Sequence, residues 1–418
     1  MKRFLQTLVG DIELNRDLSL LLLIGGLYSL GIALSNTFVN VYLWKQSGEY
    51  VDIALYNLAV VILQPLTFLL AGRWAKKIDR VIVLRLGVIF LSIFFTTVLM
   101  MGENAGKYLL VLGALLGIGY GFYWLSFNVL TFEITEPETR DFFNGFLGIL
   151  TSFAGMIGPI GAGFIITHME KLTGYRVIFA ISLGLFLLAV VLSFFLNRRS
   201  AEGGYHLKDI WSLKKEDSNW KAILYAHFFQ GLREGTFIFL IVVWIYVATG
   251  SELALGTYGL VASAVAFICY YLTGRFVKPA LRKRAILIGG LMLYGAIFLI
   301  IFELNFALLL TYGVVVSIAY PLLLVPYVSL TYDVIGNGWK AAEMRVEYIV
   351  VRELFLNFGR ITSIVLFIGA VLLMGDRPGI PIVLLILGAG HTIIYWVVRK
   401  IQLPHAEHKE TFSVMKKR

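Results

Sequence analysis

The chain has 418 residues, of which 59% are hydrophobic and 15% charged, and its formal net charge is +10. Soluble domains contain about 45–50% apolar and about 25% charged residues, so this composition excludes an ordinary soluble domain and indicates a membrane protein. The apolar runs continue for about 20 residues without alternation, which predicts membrane-spanning helices and excludes the alternating strands of a barrel. We therefore predict an all-α polytopic membrane protein.

The apolar runs, taken in chain order, predict twelve transmembrane helices arranged as two pseudo-symmetric six-helix bundles. The first six spans are expected at 18–44, 52–72, 81–101, 107–131, 143–167 and 176–197. The second six are expected at 221–249, 253–274, 285–303, 306–331, 346–374 and 380–400.

Hydrophilic stretches divide the chain into its expected parts. These are an amphipathic lead-in at 1–17, a bundle at 18–197, a cytoplasmic linker at 198–220, a second bundle at 221–400 and a cytoplasmic tail at 401–418. Within the linker, the segment HLKDIWSLKKEDSNW has the pattern of a short amphipathic helix on the membrane surface. A flexible linker is an equal alternative for this segment.

Lysine and arginine lie predominantly on one side of the predicted membrane. Of the 36, 27 fall in the termini and loops on that side and five in the loops on the other. Positively charged loops stay in the cytoplasm, so both termini are predicted to be cytoplasmic, with the protein in the cell membrane. Because these charges flank the membrane in short turns, they favour contact with anionic lipid, and no nucleic-acid partner is expected.

Two segments recur about 200 residues apart. The basic turn at 72–87 (GRWAKKIDRVIVLRLG) corresponds to 274–290 (GRFVKPALRKRAILIGG), and LTFEI at 130–134 corresponds to LTYDV at 330–334. A repeat of this length predicts two similar halves in the membrane, and two similar bundles facing each other are typical of a transporter.

The pattern of six helices and six, with a charged turn after the second helix of each half, resembles the major facilitator superfamily. The first basic turn is similar to the family motif G-x-L-a-D-r-x-G-r-[RK], which it matches at Gly72, Ala75, Lys77 and Arg80. Lys76 stands where the family has an acid that stabilises the closed cytoplasmic side. The resemblance covers essentially the whole chain, and it implies that this latch is weaker or differently built here.

Acids and arginines on the predicted cytoplasmic side form two similar groups. Carboxylates accept the planar arginine fork with specific geometry, so these groups predict a cytoplasmic gate. Its expected members are Gly72, Arg73, Arg80, Glu133 and Arg140 in the first half and Gly274, Arg275, Asp333 and Arg345 in the second. The alternative is charge that directs membrane insertion and has no switching role.

The fifth predicted span contains a run of small residues that resembles the family element G-x-x-x-G-P-x-x-G-G. Its members are Gly155, Gly158, Pro159, Gly161 and Gly163. Glycines allow helix backbones to approach closely and proline introduces a bend. In the family this element is commonest in proton-driven exporters, but the fourth span lacks the arginine that drug antiporters usually carry.

Ionisable residues within predicted spans are functional hypotheses, because burying charge in a membrane is costly. The helical period places three polar residues on one face of the seventh span and three on one face of the eleventh. These are His227, Gln230 and Glu234, and Glu353, Asn357 and Arg360. We predict that Glu234 and Arg360 pair near the midplane or bind the substrate's charges, with Arg233 and Arg352 joining Glu353. A purely structural ion-pair network is the alternative.

The first half offers a different lining. Asn36 and Asn40 lie on one face of the first span, and the fourth span presents Tyr120, Tyr123 and Trp124. In the family the first, fourth, seventh and tenth helices line the cavity. The resemblance therefore implies one wall rich in aromatic rings and amides and one charged wall, which suits a small amphipathic organic solute or a lipid-like substrate.

These features predict a secondary active transporter that works by alternating access, with proton-coupled efflux favoured and a monomer expected. Nutrient import, flipping of a lipid-linked saccharide and a non-transporting receptor or assembly factor remain alternatives. The sequence has no G-x-x-x-x-G-K-[ST] loop, metal-ligand cluster or hydrolase nucleophile motif, so no enzyme, cofactor or metal site is expected.

Overall fold

The computed structural model describes residues 15–134, 137–169, 172–197 and 204–403. Side chains are not described at 132, 137–142, 144 and 145. Most of the predicted lead-in, the first part of the predicted linker and most of the predicted tail therefore lie outside the described residues, as does the side chain of Arg140.

The described residues form α-helices and short 3-10 turns, and no strand occurs among them. The first six helices are α1 (Arg16–Ser47), α2 (Tyr50–Lys77), α3 (Arg80–Met101), α4 (Leu109–Ile134), α5 (Pro137–Thr167) and α6 (Thr173–Ser193). The remaining helices are α7 (Leu207–Leu213), α8 (Ser218–Thr249), α9 (Glu252–Phe276), α10 (Arg282–Gly295), α11 (Phe306–Gly336), α12 (Arg345–Met374), α13 (Asp376–Gly388) and α14 (Gly390–Val398). We call α1–α6 the N-terminal half and α8–α14 the C-terminal half.

Ten helical stretches among the described residues are long and apolar enough to cross a membrane. One of them, 80–131, contains both the third and the fourth predicted spans. The predicted ninth span, 285–303, is not among the ten, because α10 ends at Gly295 and a 3-10 turn, Ala296–Leu299, follows it. The predicted all-α membrane fold is confirmed, and the ninth span is shorter and less regular than its sequence indicated.

Two of the long helices, α1 and α8, have a side-chain cap at the start and a glycine after the end. Asn15 accepts a hydrogen bond from the Leu18 N–H at 2.7 Å at the start of α1, and Asp217 caps α8 in the same way. Gly48 and Gly250 follow α1 and α8 with φ of 70° and 62°, a left-handed conformation that glycine adopts without steric cost.

The linker segment, for which the sequence allowed a short helix or a flexible linker, contains the short helix α7. Ile210 is buried, and the Trp220 indole N–H donates to its carbonyl at 3.2 Å. α7 therefore packs against the first turn of α8, which begins at Ser218, three residues earlier than the predicted span.

Helices α8 and α12 touch through their backbones. A Cβ added at Gly231 would meet the Leu356 carbonyl, and one added at Gly359 would meet the Phe228 carbonyl. Small residues permit this approach, which membrane helices use in place of hydrophobic attraction. One turn further along, the Thr236 N–H donates to the Ser363 hydroxyl at 3.1 Å. The contact holds the polar faces of the seventh and eleventh predicted spans against each other.

The most extensive contacts between the two halves are those of α2 with α12 and of α5 with α9. In the second pair, a Cβ at Gly256 would lie 2.6 Å from the Pro159 carbonyl, and a Cβ at Gly163 would lie 2.6 Å from the Glu252 carbonyl. The glycine-rich part of α5 is therefore an interface between the halves.

We expect Gly231→Ala to lower the thermal unfolding temperature, because its methyl group would overlap the Leu356 carbonyl and overpacking costs about 1–3 kcal/mol. Gly369→Ala in α12, the partner helix of α8, is the control, because no neighbouring helix of the described structure comes within 4 Å of its added Cβ. Thermal unfolding of the purified protein in detergent measures both. An unchanged midpoint for Gly231→Ala would show that the backbones are further apart.

Candidate functional site

A polar cavity of about 240 Å³ lies between the two halves. The N-terminal half supplies Asn36, Thr37, Asn40, Tyr56, Asn57, Val60, Val61, Gln64, Leu116, Tyr120 and Trp124. The C-terminal half supplies Gly235, Ile238, Val242 and Arg360. The predicted residues Asn36, Asn40, Tyr120, Trp124 and Arg360 thus meet in one place, although they come from helices far apart in sequence.

The N-terminal wall is neutral and partly bonded to itself. The Asn57 amide donates to the Asn40 side-chain oxygen at 2.8 Å, and the Tyr120 hydroxyl donates to the Asn36 side-chain oxygen at 3.2 Å. The Tyr56 hydroxyl is buried and has no hydrogen-bond partner among the described residues. This wall therefore presents amide and hydroxyl groups with which a solute could form hydrogen bonds.

Tyr123 does not line the cavity, contrary to the sequence-based expectation. It is 1% exposed, and its ring stacks on Tyr28 at 3.9 Å between centroids and on Phe127 at 5.3 Å. The aromatic stripe of α4 has one edge in the core, so neighbouring positions on this helix have different surroundings.

The C-terminal wall is charged. An Arg360 Nη2 lies 2.7 Å from Glu234 Oε2, so the predicted pair forms. Glu234 Oε1 also accepts hydrogen bonds from the Gln230 amide at 2.8 Å and the Tyr320 hydroxyl at 2.9 Å. Arg360 lines the cavity, whereas Glu234 is not among the lining residues. Whether the pair binds substrate stays a prediction.

Other predicted residues surround this pair without lining the cavity. His227 Nδ1 lies 2.6 Å from the Tyr327 hydroxyl, and Arg352 Nη2 lies 2.7 Å from Glu353 Oε1. The Asn357 amide donates to the Glu353 carbonyl at 2.9 Å, so it serves its own helix. Along α8 and α12, these residues lie between the first turns of the two helices and the Glu234–Arg360 pair.

Arg233 does not join Glu353 as predicted. Its guanidinium donates to the Tyr312 hydroxyl at 3.3 Å and lies over the Phe237 ring at 4.6 Å. Arg233 is 4% exposed, and no ion pair to it occurs among the described residues. The helical rotation of about 100° per residue explains the difference, because it turns Arg233 away from the face that carries Glu234.

Sequence reasoning missed His391 in α14. Its side chain is fully buried, and neither ring nitrogen has a hydrogen-bond partner among the described residues. The ring lies 5.8 Å from the Tyr320 ring, which in turn bonds to Glu234. The signal was available, because a histidine inside an apolar span is the same kind of feature that singled out Glu234.

Lys76 forms a buried ion pair that joins the halves at the end of the bundle where α2 ends and α12 begins, here called the basic face. Its Nζ lies 2.7 Å from Glu347 Oε1, and it also donates to the carbonyls of Glu343 at 2.9 Å and Gly204 at 3.3 Å. The Glu347 carboxylate accepts the His206 backbone N–H at 3.1 Å. Lys76, which stands where the family has an acid, therefore forms an ion pair between α2 and α12.

The linker packs over the Lys76–Glu347 pair. A Cβ added at Gly72 would lie 2.8 Å from the Tyr205 hydroxyl and 3.1 Å from Val350, which explains the glycine at that position. Burial and the nearby Glu347 carboxylate raise the pKa of the Tyr205 hydroxyl, which therefore stays protonated.

Two further ion pairs at the basic face correspond between the halves. Arg80 Nε lies 2.6 Å from Glu133 Oε1, and Arg282 Nη1 lies 2.6 Å from Asp333 Oδ2. Each pair joins the start of one helix to the end of the next long helix within a single half. They fasten each half internally, whereas the Lys76 pair connects the halves.

The predicted partner of Asp333 was wrong. Arg275 donates instead to the Tyr271 hydroxyl one turn earlier, at 2.8 Å. Arg275 lies at the end of α9, while Arg282 begins α10, which packs against α11 and its Asp333. Gly274 has open space at its Cβ position, so no contact requires glycine there.

The remaining gate residues lie at helix ends on the basic face. Arg73 is exposed at the end of α2, and Arg345 is the first residue of α12. The Arg140 side chain lies outside the described residues, so the predicted group of Arg73, Arg80, Glu133 and Arg140 is described only for the Arg80–Glu133 pair.

A second ion pair joins the halves at the other end of the bundle, here called the opposite face. Lys45 Nζ lies 2.8 Å from Glu252 Oε1, which also accepts the Tyr175 hydroxyl at 2.9 Å. The ammonium lies 5.3 Å from the Tyr175 ring centre and 5.5 Å from that of Tyr246. This pair was not predicted, because loop residues of opposite charge give no sequence signal of their pairing.

The glycine-rich element of α5 lies beside this second pair. A Cβ at Gly158 would be 2.7 Å from Ala33 of α1, and one at Gly155 would be 3.0 Å from the Ser263 hydroxyl of α9. Gly161 has no neighbour within 4 Å of its Cβ position, and α5 continues as one helix through Pro159. The element thus packs on both halves beside the Lys45–Glu252 pair.

We expect Lys76→Met and Glu347→Gln each to lower the thermal unfolding temperature, because removing one partner of a buried pair costs about 3–5 kcal/mol. The double variant should lose less than the sum of the two, since neither charge is then left alone. Glu343→Gln is the control, because its pair with Lys340 is exposed and 3.8 Å long. Strictly additive losses would mean that the two side chains do not interact.

The family model of the Major Facilitator Superfamily matches residues 21–346. A Bacillus subtilis (strain 168) protein described as "Uncharacterized protein YqgE" is 61% identical over 403 residues, which are 96% of this chain and 94% of that protein. A Geobacillus stearothermophilus protein described as "Uncharacterized protein in sodM 3'region" is 69% identical over 176 residues, which are 42% of this chain and 82% of that protein.

Two solved structures share the fold at low sequence identity. The human organic anion transporter MFSD10 (TETRAN) has a TM-score of 0.62 and 15% identity, over 92% of this chain and 99% of that one. A bacterial homologue of the iron transporter ferroportin, in an outward-facing state with soaked iron, has a TM-score of 0.64 and 17% identity over the same shares. With the family model matched over most of its length, this multi-pass membrane protein belongs to the major facilitator superfamily.

Proposed function

We propose that the chain is a secondary active transporter that moves a small amphipathic organic solute across the cell membrane by alternating access. The observation that carries this proposal is a polar cavity between two halves that are joined at each face by an ion pair. Transporters with two related halves place their substrate site near the midplane between them. The family and the named activities of the two structural neighbours agree with transport.

Alternating access requires one face to open while the other stays closed. Breaking the Lys76–Glu347 pair would separate α2 from α12 at the basic face, and breaking the Lys45–Glu252 pair would separate α1 from α9 at the opposite face. The excess of lysine and arginine at the termini and the loops on their side supports a cytoplasmic basic face. The two pairs would then be the cytoplasmic and the external gate.

Proton-coupled efflux is part of the proposal, with Glu234 as the coupling group. Its carboxylate is held by Arg360, Gln230 and Tyr320. Protonation of Glu234 would remove the negative charge that holds Arg360 and change the charge of the cavity wall. Coupling of this kind needs a group whose protonation differs between conformations, and Glu234 is the acid bonded to a cavity-lining residue.

Reconstitution in proteoliposomes with an internal pH dye tests this proposal. We expect an imposed pH gradient to dissipate when a transported compound is added from a panel of organic acids, sugars, amino acids and amphipathic dyes. Glu234→Gln should abolish this response, because its side chain no longer binds and releases a proton, while Glu103→Gln on an exposed turn should not.

Thermal unfolding of both variants checks that they are folded. A folded Glu234→Gln protein with an unchanged response would contradict the coupling role. Flux in the direction that corresponds to uptake into the cell would indicate import. Flux of lipid-linked saccharides alone would indicate a flippase. No flux with any compound would favour the receptor alternative.

A further inference from the structure

Buried charges around the cavity do not balance. Helices α8 and α12 bring together three arginines and two glutamates, namely Arg233, Arg352, Arg360, Glu234 and Glu353. Two ion pairs use Arg360 with Glu234 and Arg352 with Glu353. The group as a whole therefore carries one surplus positive charge inside the bundle.

Arg233 is the arginine left over. Its hydrogen bond goes to the neutral Tyr312 hydroxyl, and its Nε has no hydrogen-bond partner among the described residues. A buried charge without a counter-ion is strongly unfavourable, so such a group raises the affinity of its surroundings for a negative charge.

The cavity wall shows where an added negative charge would be bound. Arg360 is the only charged residue among the described residues that line the cavity. Its partner Glu234 is already satisfied by Gln230 and Tyr320 and lies outside the lining. The planar guanidinium offers five donors in a fork that matches a carboxylate, so it can bind Glu234 and a solute anion at once.

The rest of the cavity limits what the anion carries. Tyr56 lines the cavity together with Asn57 and Gln64, and its buried hydroxyl has no partner among the described residues. A hydroxyl or carbonyl group on the solute would satisfy it. Ile238 and Val242 supply an apolar surface next to Arg360. A volume of about 240 Å³ is below the roughly 300–1,000 Å³ typical of drug-sized pockets, so the solute is small.

We propose that the cavity binds a small organic anion, with its carboxylate against Arg360, its apolar part along Ile238 and Val242, and a hydroxyl or carbonyl group toward Tyr56. This inference rests on the proposed transport function, because it names the class of solute for the same site. It replaces a general amphipathic solute by a monocarboxylate that carries a second polar group.

Matched probes test the charge requirement. Thermal unfolding in detergent at constant ionic strength compares lactate, 4-hydroxybenzoate and gluconate with propane-1,2-diol, 4-hydroxybenzyl alcohol and sorbitol, their alcohol counterparts. A ligand that binds only the folded state raises the unfolding temperature increasingly as its concentration exceeds its dissociation constant. We expect at least one carboxylate to give the same rise in unfolding temperature as its alcohol at a concentration at least tenfold lower. Equal shifts for both members of every pair, or no shift with any probe, would overturn the proposal.

Variants test the assigned contacts. Glu234→Gln combined with Arg360→Gln removes the cation without leaving an unpaired acid, and it should abolish the preference for the carboxylate. Tyr56→Phe removes one hydroxyl that bonds to no described residue, so it should leave folding intact. It should raise severalfold the concentration of the active carboxylate that gives a fixed rise in unfolding temperature. Lys340→Gln, an exposed cation at the basic face, is the control and should change neither value. Persistence of the carboxylate preference in the double variant would overturn the assignment to Arg360.

Arg233→Met tests the charge surplus itself. We expect this variant to unfold at a higher temperature than the unaltered protein without ligand and to need more carboxylate for the same rise in unfolding temperature. A lower unfolding temperature would show that the Arg233 charge is already compensated, and the surplus would then not exist.

Binding and transport fail separately in these experiments. A carboxylate that binds as expected and causes no flux in proteoliposomes would contradict transport and leave the assigned solute class in place. Flux of a neutral or cationic compound, with no carboxylate bound, would contradict the anion site and leave transport in place.

Discussion

The buried ion pair between Lys76 and Glu347 is the contact on which the packing of the two halves at the basic face depends. Two charges taken out of water are compensated only when their remaining donors and acceptors are also bonded. Lys76 meets this condition with the carbonyls of Glu343 and Gly204. Glu347 binds both Lys76 and the His206 N–H through Oε1, and its buried Oε2 has no hydrogen-bond partner among the described residues. Helices α2 and α12 and the linker between the halves therefore meet at one point.

At the opposite face the halves are held together by a different balance of interactions. Its ion pair is less buried, with 28% of the Lys45 side chain exposed, so the attraction is weakened by solvent. Backbone contact between α5 and α9 at Gly163 and Gly256 supplies close packing instead. One face thus relies on a buried polar cluster and the other on glycine-mediated packing, and the cavity lies between them.

The charge at the cavity belongs to one half. Gly231 and Gly359 bring α8 and α12 into backbone contact, so the Glu234–Arg360 pair lies within the C-terminal half and not across the interface. A rocking motion of the halves would leave this pair intact while it breaks the pairs at the faces. The charged wall and the gates are therefore separate parts of the structure.

The sequence by itself determined the all-α membrane fold, the two related halves and the unusual burial of Glu234 and Arg360, because each follows from apolar length, repetition or the cost of charge in lipid. It could place Glu234 and Arg360 on facing stripes because the helical period fixes which side chains share a face. Only the tertiary structure decided that Lys76 pairs with Glu347, that Lys45 pairs with Glu252, that Arg282 replaces Arg275 beside Asp333, and that Tyr123 and Arg233 turn away from their expected sites. These contacts join helices distant in the chain, and they depend on helix rotation and on the few positions where glycine lets backbones meet, neither of which leaves a periodic signal in a single sequence.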